Sequence, residues 1–153
     1  MSIVEGYRFE SMVGDSDDHR PDTVWALLVD PGDDAGRVDD LAVISERIAA
    51  GDRIPLHVHR VSEVILAHGT GRFTLGDDVR SVDDGAVIFI PAGVPHGLHN
   101  DGDCPLPVQA VFPTTRVWLR YLERNPAPGT ERDDPQPGAT YDLRTGAVEF
   151  DAS

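Results

Sequence analysis

Residues 51–63 read GDRIPLHVHRVSE and residues 85–100 read GAVIFIPAGVPHGLHN. In the first stretch His57 and His59 stand two apart in a short apolar run. Strand side chains alternate between faces, so both imidazoles point the same way. Glu63 lies four residues further on and shares their parity if the alternation continues. In the second stretch the apolar run AVIFI stops at Pro91-Ala92-Gly93, and His96 follows that turn. A lone histidine would more simply satisfy a neighbouring backbone group. Three imidazoles and one carboxylate at these spacings can instead enclose a divalent first-row ion and leave positions open for other ligands.

Working outward, short apolar runs alternate with turn signals along most of the chain. TVWALLV (23–29) runs into Asp30-Pro31-Gly32, and LAVISERI (41–48) into Gly51-Asp52. SEVILAH, GRFTL, VRSV and PVQAVF follow, separated by Gly, Asp and Pro clusters. Many short strands at such spacing predict an antiparallel sandwich or barrel. TTRVWLRYLER (114–124) has apolar pairs at i, i+4 and predicts either a short helix or an edge strand. NPAPGTERDDPQPGA (125–139) reads as a loop or tether, and YDLRTGAVEF as a strand or hairpin that packs back on the barrel.

With these residues in view, the chain resembles the cupin family. Gly51-x5-His57-x-His59-x3-Glu63 resembles the first cupin motif, and Gly85-x5-Pro91-x-Gly93-x2-His96-x3-Asn100 matches the second at every fixed position. The resemblance covers residues 38–113 and implies an all-β cupin fold, a double-stranded β-helix or jelly-roll barrel. The chain length fits one domain over 1–153, with N-terminal strands in 1–37 and a C-terminal extension over 114–153 outside the resemblance. The resemblance also implies that His57, His59, Glu63 and His96 are ligands of one divalent metal ion: iron, zinc, nickel or manganese. Gly85 is expected at a positive-φ turn, Pro91 and Gly93 at a bend that returns His96 to the axis, and Asn100 as a turn cap. One departure stands out: five residues separate Glu63 from Gly69 where the family usually has six. A shifted register would turn Glu63 to the other face.

Several further residues are weighed beside these. Gln109 interrupts the apolar PVQAVF strand and is a possible extra ligand or pocket residue. His68, beside Gly69, is a possible pocket residue if a bulge intervenes. His99 and His19 read as turn and surface histidines, the acidic run DSDD (15–18) as solvated surface, and Cys104 as an idle loop thiol. Trp118 and Tyr121 are expected in core or dimer contacts. GRFTL and AVIFI are expected as apolar cavity walls.

Composition excludes several classes. The 153 residues carry 13 Lys+Arg against 27 Asp+Glu, a net charge of −14, which repels nucleic acid and anionic membranes. All thirteen basic residues are arginine, so lysine Schiff-base chemistry is absent. That bias also reads as GC-rich coding, which suits specialised metabolism without showing it. One cysteine allows no internal disulfide. No run approaches a membrane span, and MSIVEGYRFESM does not read as a signal peptide, so a cytoplasmic protein is expected. The resemblance implies a metal-dependent enzyme on a small aromatic or enolisable molecule. Dioxygenase chemistry is slightly favoured over a redox-neutral cyclase, isomerase or lyase of the polyketide-cyclase type. A non-catalytic binding cupin is the alternative of another class. A homodimer is expected, because open strand edges need covering.

Overall fold

The structure, a computed structural model, describes residue 3 and residues 5–29 and 38–152. The expected turn at Asp30-Pro31-Gly32 lies outside the described residues. Thirteen strands follow in chain order: β1 (Glu10–Met12), β2 (Arg20–Val29), β3 (Ala42–Ile48), β4 (Arg53–His59), β5 (Glu63–Ala67), β6 (Gly71–Leu75), β7 (Asp78–Val82), β8 (Val87–Ile90), β9 (His96–His99), β10 (Leu106–Phe112), β11 (Arg116–Tyr121), β12 (Ala139–Asp142) and β13 (Val148–Phe150). No helix occurs among the described residues. One sheet runs β1-β2-β3-β10-β5-β8 and the other β13-β12-β11-β4-β9-β6-β7. This is the all-β jelly-roll barrel that the resemblance implied.

The alternation of the sequence decides what faces inward. In β10, Leu106, Val108, Ala110 and Phe112 are buried, and in β5, Glu63, Ile65 and Ala67. β10 pairs in unbroken register with β3 on one side and β5 on the other. The apolar ones among these, with Phe73, Leu98 and Val117 from the opposite sheet, make one hydrophobic core. Burying each Val, Leu, Ile or Phe side chain among them stabilises the fold by about 1.5–3 kcal/mol.

The turn residues behave as their chemistry requires. Gly85 and Gly93 take φ of +82° and +79°, which a side chain would strain. Asn100 is buried and caps the end of β9. Its Nδ2 donates to the carbonyls of Ile48 (2.9 Å), Ala49 (3.1 Å) and Cys104 (2.9 Å), and its Oδ1 accepts from the Gly102 N–H (3.0 Å).

Four expectations are corrected. Residues 114–124 form neither a helix nor an edge strand, for β11 lies inside its sheet, between β4 and β12. β4 and β12 both offer it backbone partners, and Val117, Leu119 and Tyr121 alternate inward as a strand requires. The run at 15–18 is not solvated: Asp17 and Asp18 are buried. Arg124 Nε reaches Asp17 at 2.5 Å, and Arg20 holds Asp18. His19 is half-buried, with its backbone paired to Asn125. β8 is no cavity wall, because it closes one edge of its sheet with Val87 and Phe89 turned outward. The tail YDLRTGAVEF does form a hairpin, β12–β13, packed on β11.

Candidate metal centre

β4 and β9 bring the three motif histidines to one place. His57 pairs directly across from His96 between these strands, and His59 follows at the same parity. The chain then crosses to the other sheet through residues 60–62 and enters β5 with Glu63 facing inward. The missing hairpin residue therefore falls downstream of Glu63, in the turn after Ala67, and does not disturb its face. All four side chains are buried, and their ligand atoms lie within 4.8 Å of one another.

The hydrogen bonds fix which atoms face the centre. His57 Nδ1 donates to the Pro55 carbonyl (2.7 Å), His59 Nδ1 to that of Trp118 (3.1 Å) and His96 Nδ1 to that of Val94 (2.9 Å). Carbonyls only accept, so each Nδ1 carries the proton and each Nε2 presents a lone pair. His57 Nε2 and His59 Nε2 are 3.1 Å apart, and Glu63 Oε2 lies 2.9 Å from His96 Nε2 and 3.5 Å from His59 Nε2. A buried cluster of converging acceptors of this kind is one that a cation would satisfy. Neighbouring ligands each about 2.1 Å from one ion stand roughly 3 Å apart, so the spacing fits a first-row metal. Burial, then His96 and His59, hold His57 well below the ordinary imidazole range. Burial also lowers His59, with Glu63 opposing. Both therefore stay in the neutral, ligating form.

The cluster sits in a cavity of about 490 Å³. Its walls are mainly apolar, with Phe73, Val108, Ala110 and Leu119 among them. His59 packs edge-on against Phe112, ring centroids 5.1 Å apart. β1 and the β12–β13 hairpin line its rim.

Two candidates from sequence are not brought to the centre. Gln109 lies opposite Ser45 and Leu66 in the β10 ladders, on the face away from Val108 and Ala110, so strict alternation points it out of the cavity. His68 is exposed in the turn after β5, since no bulge intervenes. His99 lies beside Asp101, outside the cavity, and Cys104 is exposed. Trp118 lies on the outer face, with the Arg60 guanidinium 3.9 Å above its ring.

Other cavity residues escaped the sequence reading. Tyr121 is a cavity wall, its ring 6.2 Å from that of His57. Its hydroxyl donates to Asp18 Oδ2 (3.2 Å). Arg20 reaches Asp18 through Nε (2.7 Å) and Nη2 (2.8 Å), and Glu46 through Nη1 (3.2 Å). One signal was available for Glu46. Ile44, Glu46 and Ile48 share one face of a strand, and a charge on an apolar face is anomalous.

A model described as the cupin domain matches residues 45–112. The polyketide cyclase RemF from Streptomyces resistomycificus superposes with a TM-score of 0.69 at 22% identity, covering 88% of this chain and 94% of that one. The salicylate 1,2-dioxygenase of Pseudoaminobacter salicylatoxidans, solved with gentisate, gives 0.53 at 17% identity, over 61% of this chain and 25% of that one. At these identities the likeness concerns the fold alone. The mannose-1-phosphate guanylyltransferase ManC of Salmonella typhimurium is 32% identical over 73 residues, 48% of this chain. The chain spans only 15% of that relative's length.

Proposed function

We propose that this chain, a cupin by the match over residues 45–112 and by its barrel, is a metal-dependent enzyme acting on a small aromatic or enolisable molecule. The observation that carries the reading is the cluster of four inward acceptors, with two Nε2 lone pairs 3.1 Å apart, at the wall of a largely apolar cavity. His57, His59, His96 and Glu63 would hold the ion. A divalent ion bound there supplies Lewis acidity toward a carbonyl or enol oxygen or, if it is iron, oxygen activation.

The chain's own residues do the rest. Three backbone carbonyls hold the imidazoles in their ligating tautomer, as outer partners do in metal sites generally. Phe73, Val108, Ala110 and Leu119 exclude water and take up an apolar ring. A cavity of about 490 Å³ lies within the range of small-molecule sites. The redox-neutral reading, an enolate-forming isomerase, lyase or cyclase, gains from a buried carboxyl inside the cavity, Glu46. A solved neighbour that spans 88% of this chain is a polyketide cyclase, which is in keeping with it. The oxygenase reading rests on the coordination positions that four protein ligands leave open.

The test loads the protein separately with Zn²⁺ and Fe(II) and offers catechols, flavonols, β-diketones and ortho-hydroxyaryl ketones. Turnover with zinc and no oxygen uptake with iron supports the redox-neutral chemistry. Oxygen uptake confined to the iron form supports the oxygenase. No metal bound by the wild type would overturn both.

A further inference from the structure

Glu46 stands apart from the metal ligands. It lies on β3, where it faces Val108 across the ladder, while Glu63 begins β5 on the other side of β10. The backbone positions of the two residues are offset by four residues of the β10 ladder, roughly 13 Å at strand rise. Glu46 is therefore no ligand of the ion that Glu63 would hold, although both line one cavity.

Its surroundings are built. Glu46 is 9% exposed and, among the described residues, has one hydrogen-bond partner, Arg20 Nη1 on Oε2. Oε1 has no partner among the described residues. The side chain keeps 12% exposure and lines the cavity. Arg20 is itself buried and is held from behind by the two-point bond to Asp18, which Tyr121 also caps. The carboxyl is thus aimed by a rigid backing, with one oxygen free.

We infer that Glu46 is the proton-transfer residue of this cavity, touching a ligand whose other end reaches the metal centre, with Arg20 and Asp18 as positioning residues. The inference rests on the enzyme reading above and deepens it. In the step assigned to it, a C–H bond next to a ligand carbonyl breaks. The proton passes to Glu46 Oε1, and the electron pair moves to the carbonyl oxygen as an enolate. Reversal returns the proton to carbon, so nothing else is consumed. Burial pushes the Glu46 carboxyl up, Arg20 opposes, and the negative Asp18 and Glu63 add to the rise. A raised carboxyl is the stronger base once ionised.

The experiment uses zinc-loaded wild type, Glu46→Gln and Glu46→Asp, with 2′-hydroxyacetophenone as the probe. Elemental analysis gives metal content, an absorbance titration gives probe affinity, and proton NMR in D₂O gives exchange of the methyl hydrogens. Difference infrared spectroscopy follows the Glu46 carboxyl band, identified by its loss in Glu46→Gln. The inference expects equal zinc and similar affinity in all three proteins and a band shift when the probe binds. It expects exchange roughly 100-fold slower in Glu46→Gln, a general base's usual contribution, and partly restored in Glu46→Asp. Equal exchange in wild type and Glu46→Gln, or no band shift, would overturn it. Wild type that binds zinc and probe but exchanges nothing would sink the enzyme reading and the proton role together. A band shift on its own would then mark Glu46 as a binding group only.

Discussion

Replacing Asn100 with alanine tests how the turn after β9 is held. The side chain is buried; its two N–H groups are shared among three backbone carbonyls, and its Oδ1 accepts from the Gly102 N–H. The Ile48 carbonyl lies in a wholly buried residue, so losing its partner there costs about 1–2 kcal/mol. The other three groups are partly buried and can recover water, at about 0.5 kcal/mol each. The total is about 3 kcal/mol, a large share of the roughly 5–15 kcal/mol that holds a domain of this kind. Urea unfolding of the metal-free protein should show a lower midpoint with an unchanged slope. Asn100→Asp keeps the shape and the acceptor but faces three carbonyl oxygens with a carboxylate. It should lose at least as much as alanine near pH 8. A loss below about 1 kcal/mol for Asn100→Ala, or an aspartate variant as stable as wild type, would refute the argument that the shared N–H groups carry the turn.

Three other outcomes are expected. His57→Ala and His96→Ala should bind no metal where the wild type binds about one ion per chain, and equal metal by elemental analysis in all three would refute the four-ligand site. The raised Glu46 carboxyl gives a pH-dependent term. The folded state keeps a proton that the unfolded chain releases, so the contribution is full below the ordinary 4.5 and is lost as pH rises through the raised folded value. Glu46→Gln does not titrate, so its stability relative to wild type should climb as pH rises above 4.5, and urea midpoints that keep a constant difference would count against this. We also expect a homodimer, because β8 is an edge strand with Val87 and Phe89 67% and 60% exposed. Light scattering at high concentration that returns the 16.6 kDa of one chain would refute it.

What could be read from the sequence follows the range of the interactions. His57 and His59 share a face because they are two apart on one strand, and that needs no knowledge of the rest of the chain. Positive φ at Gly85 and the cap at Asn100 are likewise local. The 114–124 segment was ambiguous because its apolar residues fit both a period of 3.6 and a period of 2. Its neighbours β4 and β12 decide the matter, and they lie far off in sequence. The acidic run at 15–18 misled for the same reason. Arg20 is 26 residues from Glu46, and Tyr121 is 103 from Asp18, so nothing in DSDDHR announces that its charges will be buried together.

That difference in range separates two parts of the cavity. The histidine–glutamate cluster is written in spaced motifs, and it suits many reactions because its ligands define only an ion. The Asp18–Arg20–Glu46 group is assembled from segments that no motif joins. Replacing either carboxylate with an apolar residue would leave Arg20 with a buried charge half-paired, a costly defect. A salt-bridged group of this kind is a poor way to stabilise a fold, since apolar packing does so at least as well. Its place on the cavity wall, with one carboxyl oxygen left free, is better accounted for by a ligand than by stability. On that argument His57, His59, Glu63 and His96 would fix where a substrate oxygen binds, and Glu46 would act on the part of the ligand that faces it.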